Sequence, residues 1–456
     1  MNKYDVILVG GGPANLFAAI KLLKEKEDLK LLILEKGNTV DKRTCPKTLK
    51  ANKCMHCNPC GISTGIGGAG AFSDGKLTLS SDIGGWLKDY IGDEIDDLIK
   101  ETDDIYLEFG GNPIINYDED FANELEYKCT KYGMKLIKTK IRHLGTDGSA
   151  EIMQKIYDKI LSYNGAEILT KTPVIDIDFN NKIVYTENFE VHGDNIIIGV
   201  GRNGSDWLRN ICKKNNIETL NNEVDVGVRV EVPRAITDAI TDKLYEFKII
   251  NYSSSDNKVR TFCVNPGGIV SQENYDDNLA CVNGHSYLNK KTNNTNFALL
   301  VSSKFTEPFN EPIKYGKSIA RQANMLTGGN IMVQRLKDLK QHKRTDKNKI
   351  KKISITPTLK DAVPGDLEHV FTHKILNSIL ETIEKLDNIF PGINGENTLL
   401  YGVEVKFYSS KVKVNNNLET SAKDVYVIGD GAGITRGLIQ SSASGLYVAK
   451  QILQRM

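Results

Sequence analysis

The chain has 456 residues, enough for two or three domains with their own cores and no disulfides to staple them. Its 59 lysines and arginines nearly cancel its 58 aspartates and glutamates, so bulk charge gives no reason to expect a nucleic-acid or membrane partner. No apolar run approaches the ~18–20 residues that span a bilayer, and the apolar strand opening at Tyr4 leaves no room for a signal peptide, so the expected compartment is the cytoplasm.

Residues 4–10 read YDVILVG, a short apolar run typical of a strand buried on both faces. The turn GGGP follows, and from Pro13 the residues Leu16, Ile20 and Leu23 fall at helical spacing. A second apolar run, LLILEK, stops at Glu35-Lys36. This strand–turn–helix–strand unit, with an acid about 20 residues past the turn, is what dinucleotide binding requires. Gly10 makes the tight turn, and Gly12 admits the pyrophosphate to the helix N-terminus formed by Pro13, Ala14 and Asn15. Glu35 is the acceptor for the adenosine ribose hydroxyls. Asn15 stands where the pattern has its third glycine, and the small neighbours Ala14 and Ala18 are the expected compensation.

Cys54, Cys57 and Cys60 form CxxCxxC, and Cys45-Pro46 lies upstream. In a reducing compartment such grouping points to metal or redox chemistry. The pattern looks like a ferredoxin-type [4Fe–4S] ligand set, although there the separate Cys-Pro follows the triplet. Four thiolates also suit a structural zinc ion, and an unmetallated reactive loop is the third possibility. Residues 81–134, acidic and partly helical, read as a cap beside a substrate entrance. TPVIDIDFNNKIVYTENFEV then reads as a β-meander turning at Asn180-Asn181, with Val174 a candidate backbone partner for an adenine edge. NIIIGVGRNG (195–204) is an apolar strand closing on glycines, Gly201 among them.

Past Asp206 the pattern changes. VDVGVRVEVP alternates strictly, placing Val224, Val226, Val228, Val230 and Val232 on one face of a half-buried strand. Further strands and helical patterns near 312–327 and 371–388 suggest a mainly antiparallel sheet with helices. The segment contains no second strand–GxGxxG–helix unit, so a dedicated NAD(P)H domain is not expected. The run 335–352, RLKDLKQHKRTDKNKIKK, reads as a solvated helix and loop, with a docking patch for an acidic electron carrier as the sharper reading and RNA a distant third. Near the C-terminus, DVYVIGDGAG is a buried strand ending at Gly429-Asp430, and a long helix starts at about Gly437, Leu438 and Ile439. Such a strand end and helix N-terminus suit the ribityl chain and pyrimidine side of a flavin, so FAD is the expected cofactor rather than NAD.

With GIGGAGAFSDGKLTLS (65–80), RHLGTD (142–147), VDVGVRVEVP, NPGGIV (265–270), PTLKDAVPGDL (357–367) and GVEVKF (402–407), the chain resembles the bacterial and archaeal FAD-dependent dehydrogenases of the glutathione-reductase-like flavoprotein superfamily. The resemblance implies an α/β protein: a three-segment Rossmann-like FAD-binding domain with an inserted α+β substrate domain. The expected division is 1–80, 135–206 and 395–456 for the FAD domain, 81–134 for a helical cap, and 207–394 for the substrate domain. It also implies that Gly67, Gly68, Ala69, Gly70 and Ser73 wrap the flavin. The expected activity is transfer of a hydride or electron pair between flavin and a small organic substrate; the alternative is redox exchange with a protein partner. Ferredoxin, flavodoxin or NAD(P)H is the electron partner to consider. His285, Tyr287, Lys76 and Arg436 are the candidate catalytic residues: His285 as acid or base, and Arg436 to orient a substrate carboxylate.

Overall fold

The computed structural model describes residues 2–46, 57–73, 75–275, 279–286, 291–309, 311–406 and 410–456. The chain divides into two compact units. One comprises Met1–Ile115, Arg142–Asn222 and Ser409–Met456; the other comprises Asn116–Ile141 and Glu223–Tyr408.

The first unit is built on the apolar run at the N-terminus. Strand β1 (Asn2–Val9) buries Val6, Ile7 and Leu8 completely, which an apolar run covered on both faces requires. Helix α1 (Pro13–Glu25) starts with proline at its first turn, where the missing N–H costs nothing, and sinks Leu16, Phe17, Ile20 and Leu23 into the core. Strand β2 (Leu31–Leu34) returns parallel to β1 in the register Val6↔Leu31 to Val9↔Leu34. The sheet runs Ala166–Leu169, β2, β1, Glu190–Ile198, Ile183–Thr186, Val174–Asp178, with Val425–Val427 pairing parallel to Glu190–Ile198. The expected meander is therefore present, its turn held by the Asn181 N–H donating to Asp178 Oδ1 (3.0 Å).

The C-terminal helix, Leu438–Leu453, packs on α1 so closely that a Cβ at Gly445 would overlap the carbonyl oxygen of Ala14. Against it lies Glu94–Glu108, whose Tyr106 hydroxyl meets Ser442 Oγ at 3.1 Å and whose ring packs 4.8 Å from that of Phe17. That contact corrects the expected cap. Residues 81–134 are not one element. Ile95, Leu98, Ile105 and Tyr106 join the first unit's core, whereas Ala122, Leu125 and Cys129 of Glu119–Lys131 join the second's. The short strand Met134–Leu136 likewise pairs antiparallel with Ile249–Tyr252.

The second unit is an eight-stranded sheet ordered Val363–Pro364, Met332–Arg335, Leu399–Lys406, Val224–Pro233, Asn294–Ser303, Lys258–Pro266, Ile249–Tyr252, Met134–Leu136. All its pairs are antiparallel except the first. Helices Pro312–Thr327 and His373–Leu386 fall where the sequence pattern puts them. The unit boundaries differ from expectation at both ends. Leu208, Ile211 and Cys212 of Ser205–Lys214 pack into the first unit, and Leu399–Lys406 is a central strand of the second, paired with Val224–Pro233.

The alternating valines do line one face, packed against Ile375, Ile379 and Ile383. The strand is not half-buried, however: its opposite face carries Asp225, Arg229 and Glu231, none more than 2% exposed. Arg229 donates through Nε (2.8 Å) and Nη2 (2.9 Å) to the two carboxylate oxygens of Glu404, and through Nη1 to Asn296 Oδ1 (2.8 Å). Glu231 accepts from the Tyr401 hydroxyl (2.5 Å) and from Asn294 Nδ2 (2.9 Å). The hairpin Ile269–Tyr275/Leu279–His285 crosses this polar face at Gly284, where any Cβ would overlap Arg229 Nη1 and Asn296 Oδ1. Charge pairing and bidentate geometry make the buried face tolerable.

Candidate functional site

The glycine turn lies at the C-terminal edge of the parallel sheet. Gly10 sits at φ +100°, a conformation closed to ordinary side chains, and Gly12 is the N-cap of α1. Glu35, 6% exposed at the end of β2, accepts from the Gly11 N–H at Oε2 (2.6 Å) and from the Gly37 N–H at Oε1 (2.7 Å). Its two oxygens are thereby fixed at the turn, each with a lone pair left for a hydroxyl donor. Lys36 is exposed beside it.

Asn15 does something the sequence pattern does not anticipate. Its side chain is fully buried, and Nδ2 donates to both Val9 O and Gly10 O at 2.8 Å. It staples the turn from inside rather than facing a ligand. The space for it comes from Gly199 on the neighbouring strand end, where a Cβ would stand 2.5 Å from Asn15 Cγ.

The GGAG segment forms a short 3-10 helix, Gly68–Phe72, laid against the glycine turn. The Gly67 N–H donates to Gly11 O (2.7 Å), and a Cβ on Gly68 would come within 3.4 Å of Gly12 Cα. Ala69 and Gly70 continue it; Gly70 abuts Leu438, and Ser73 Oγ closes the segment onto Gly70 O (2.9 Å). Arg43, which sequence reading passes over, organises this loop. Its guanidinium is buried and donates to Gly61 O (2.9 Å), Ile66 O (2.6 Å) and Ile62 O (2.5 Å), and it stacks over Phe72 at 4.6 Å. Burial brings its pKa down to about 10, against the opposing pull of Glu35 and Cys60. A lone arginine among ordinary cationic residues carries no sequence signal of such a role.

The other two segments end at the same sheet edge. Gly429-Asp430 follows Val425–Val427, and Gly437 precedes the C-terminal helix, in which Leu438 and Ile439 are buried. Asp430 accepts from Thr435 Oγ1 (3.0 Å) and the Gly437 N–H (3.2 Å). Removal from solvent raises its carboxyl pKa, and Arg202, the Gly437 amide and Thr435 pull it back only in part. A Cβ built on Gly437 or Gly201 would meet nothing within 4 Å, and one on Gly12 only Gly199 O at 3.7 Å. These glycines face open space at a helix N-terminus and at neighbouring strand ends, a cradle that FAD fits. Val174 opens its strand partly buried.

Of the catalytic candidates, Arg436 lies over the Trp86 ring at 4.1 Å, its N–H donating to Gly84 O (2.6 Å), and Lys76 opens Lys76–Leu79; both are in the first unit. His285 is exposed at the end of its hairpin strand in the second unit. Tyr287 lies outside the described residues, as does Cys54. Cys45 is half-buried, and Cys57 and Cys60 are exposed. Burial works against the Cys60 thiolate, but donors from Ser63 and Ile62 and the charge of Arg43 outweigh it and lower the thiol. Among the described residues, no three His, Cys, Asp or Glu side chains are grouped to hold a metal ion, so the expected four-cysteine set is not assembled from them. Gln440 also escaped sequence reading: its Nε2 donates to Ser81 O (3.2 Å) and Ile83 O (2.9 Å), fixing that segment over the helix start. No helix among the described residues is long and apolar enough to cross a membrane.

Residues 223–407 match the family model described as "FAD-dependent protein, C-terminal domain-like". An uncharacterized protein of Clostridium beijerinckii is 26% identical over 497 positions, covering 99% of this chain and 81% of its own. Glycine oxidase from Geobacillus kaustophilus superposes with a TM-score of 0.40 at 12% identity, over 100% of this chain and 95% of its own. L-Proline dehydrogenase from P. horikoshii gives 0.41 at 11% identity, over 100% and 94%.

Proposed function

We propose that this protein is an FAD-dependent oxidoreductase that moves a hydride or electron pair between the flavin and a small organic substrate. The observation that carries the reading is the cradle of the first unit, where Gly12, Gly201 and Gly437 face open space at one sheet edge beside Glu35 and Asp430. The family match over 223–407 supports it independently. In this reading Glu35 accepts from the adenosine ribose, and the N-terminus of α1 receives the pyrophosphate. Asp430 holds the ribityl side, and the amides opening the C-terminal helix face the pyrimidine edge where reduction builds negative charge. Bound FAD supplies two-electron chemistry at its ring; the protein orients the substrate, tunes the ring and excludes water.

The second reading, redox exchange with a protein partner, draws on the antiparallel make-up of the second unit. Its described residues include no strand–glycine turn–helix unit that would receive NAD(P)H. Cys45, Cys54, Cys57 and Cys60 are the ligands in question for a [4Fe–4S] cluster or zinc, and the flavin chemistry does not require either.

Anaerobic purification with a UV–visible spectrum and iron, zinc and sulfide analysis tests all of this. A flavin band near 450 nm is expected. Protein that lacks the band and does not take up added FAD would overturn the proposal. About four irons with sulfide per chain would add the cluster; zinc or no metal would leave the cysteine loop structural or thiol-reactive.

A further inference from the structure

The segment 343–352 of the second unit concentrates positive charge of which, among the described residues, Lys349 alone meets a carboxylate, that of Asp338 at 3.3 Å. Upstream cations are neutralised: Arg335 is bidentate on Asp338 (2.8 Å twice), Lys337 pairs with Glu396 (2.6 Å) and Lys340 with Glu384 (2.9 Å). Lys343, Arg344, Lys347, Lys351 and Lys352 are all exposed, and among the described residues none has a carboxylate within ion-pair distance. The acid inside the segment, Asp346, accepts from the Lys349 N–H (2.9 Å) as a helix cap.

These charges stand on a fixed platform. Thr345 is fully buried, donating to Asp338 Oδ2 (2.7 Å) and accepting from the Arg335 N–H (3.0 Å). Gln334 Nε2 donates to Lys343 O (3.0 Å), and Lys349 Nζ to Arg344 O (2.6 Å). Ile350 and the adjoining Ile353 turn inward onto a small core with Val333, Ile355 and Leu399. The outward surface is therefore charged and polar, with Asn348 beside the cations. It offers no apolar side chains to enter a membrane interface and no aromatic ring to stack a base.

We propose that this face docks an acidic protein surface, that of a small electron carrier. The carrier's identity rests on the flavin reading: a flavin turned over by substrate must pass electrons on or receive them, and the described residues of the second unit include no nicotinamide-binding unit to do so. Lysines dominate the patch, and lysine–carboxylate contacts across water accelerate encounter without demanding one geometry.

The test is binding of an acidic [2Fe–2S] ferredoxin to the FAD-loaded protein across a salt series, beside the quadruple variant Lys343→Glu, Lys347→Glu, Lys351→Glu, Lys352→Glu. Its folding is checked by urea denaturation. Affinity is expected to fall steeply with salt, and the variant to bind at least about tenfold more weakly with an unchanged urea midpoint. Equal affinity of variant and wild type overturns the proposal. So does tighter binding of a single-stranded RNA 20-mer, or of anionic vesicles, lost on the same reversal. Ferredoxin binding that behaves as expected on a protein unable to take up FAD would uphold the docking face and remove the flavin reading instead.

Discussion

Replacing Gly199 with alanine adds one methyl at a place where the structure leaves it nowhere to go. Nothing in the backbone at Gly199 forbids alanine, so the cost is purely one of contact. The added carbon would stand 2.5 Å from Asn15 Cγ and 2.8 Å from Nδ2. Either the strand end moves or the amide leaves its site. If the amide leaves, Gly10 O loses the donor it has at 2.8 Å, while Val9 O keeps the Gly199 N–H at 3.0 Å. One partly buried carbonyl stranded costs about 1–3 kcal/mol and overpacking about 1–3 kcal/mol, so by either route Gly199→Ala is expected to cost roughly 1–3 kcal/mol. Asn15→Ala alone should cost about 2 kcal/mol, the lost hydrogen bonds offset slightly by better helix propensity. In the Asn15→Ala background the three atoms that the new methyl would overlap are gone. The double variant is then expected to be no less stable than Asn15→Ala, a coupling of about 1–3 kcal/mol. Urea unfolding of the four proteins with and without FAD measures the cycle. A Gly199→Ala cost below about 0.5 kcal/mol, or additivity of the two changes, would refute the argument.

Glu404→Gln leaves the fully buried Arg229 without its countercharge and is expected to destabilise the second unit by about 3–5 kcal/mol, read from urea midpoints. Asp338 is held down to about 2 by Arg335, Thr345 and Lys349, although burial acts the other way. Because the folded value is depressed, its contribution of about 2 kcal/mol is fully present above pH ~4 and lost as pH falls towards 2. Asp338→Asn should abolish that part of the acid sensitivity in urea midpoints taken at pH 5 and 2.5. Glu35→Ala leaves the Gly11 and Gly37 amides without their acceptor and is expected to weaken FAD binding by about tenfold to a hundredfold, by flavin fluorescence titration.

Where local pattern and buried face coincide, the sequence was legible. β1, the glycine turn, α1 and Glu35 are contiguous, and each residue's type declares its place. The helices at Pro312–Thr327 and His373–Leu386 show the same directness, because apolar periodicity over three or four turns has one reading. The domain limits were harder, since they are set by pairing between distant segments. Nothing near Met134–Leu136 announces its partner at Ile249–Tyr252, and Leu399–Lys406 reads equally well as a strand of either unit. Polar residues misled for another reason. Alternation of valine with Asp225, Arg229 and Glu231 signals a wet face unless one knows that Glu404 and Tyr401 arrive from elsewhere to satisfy it. The Asn15–Gly199 exchange is of the same kind, a departure at one position answered 184 residues away.

The backbone contact between Gly445 and Ala14 also has a consequence in time. Helix α1 is braced by a helix that lies roughly 400 residues downstream, and the strand Val425–Val427 joins the sheet shortly before it in the chain. At about 5–20 residues per second, a ribosome needs roughly 20–90 seconds to travel from one to the other. Through that interval the face of α1 that packs on Leu438–Leu453 has no cover from it. On the proposed reading, the flavin cradle is complete only once the segment carrying Asp430 and Gly437 has been made.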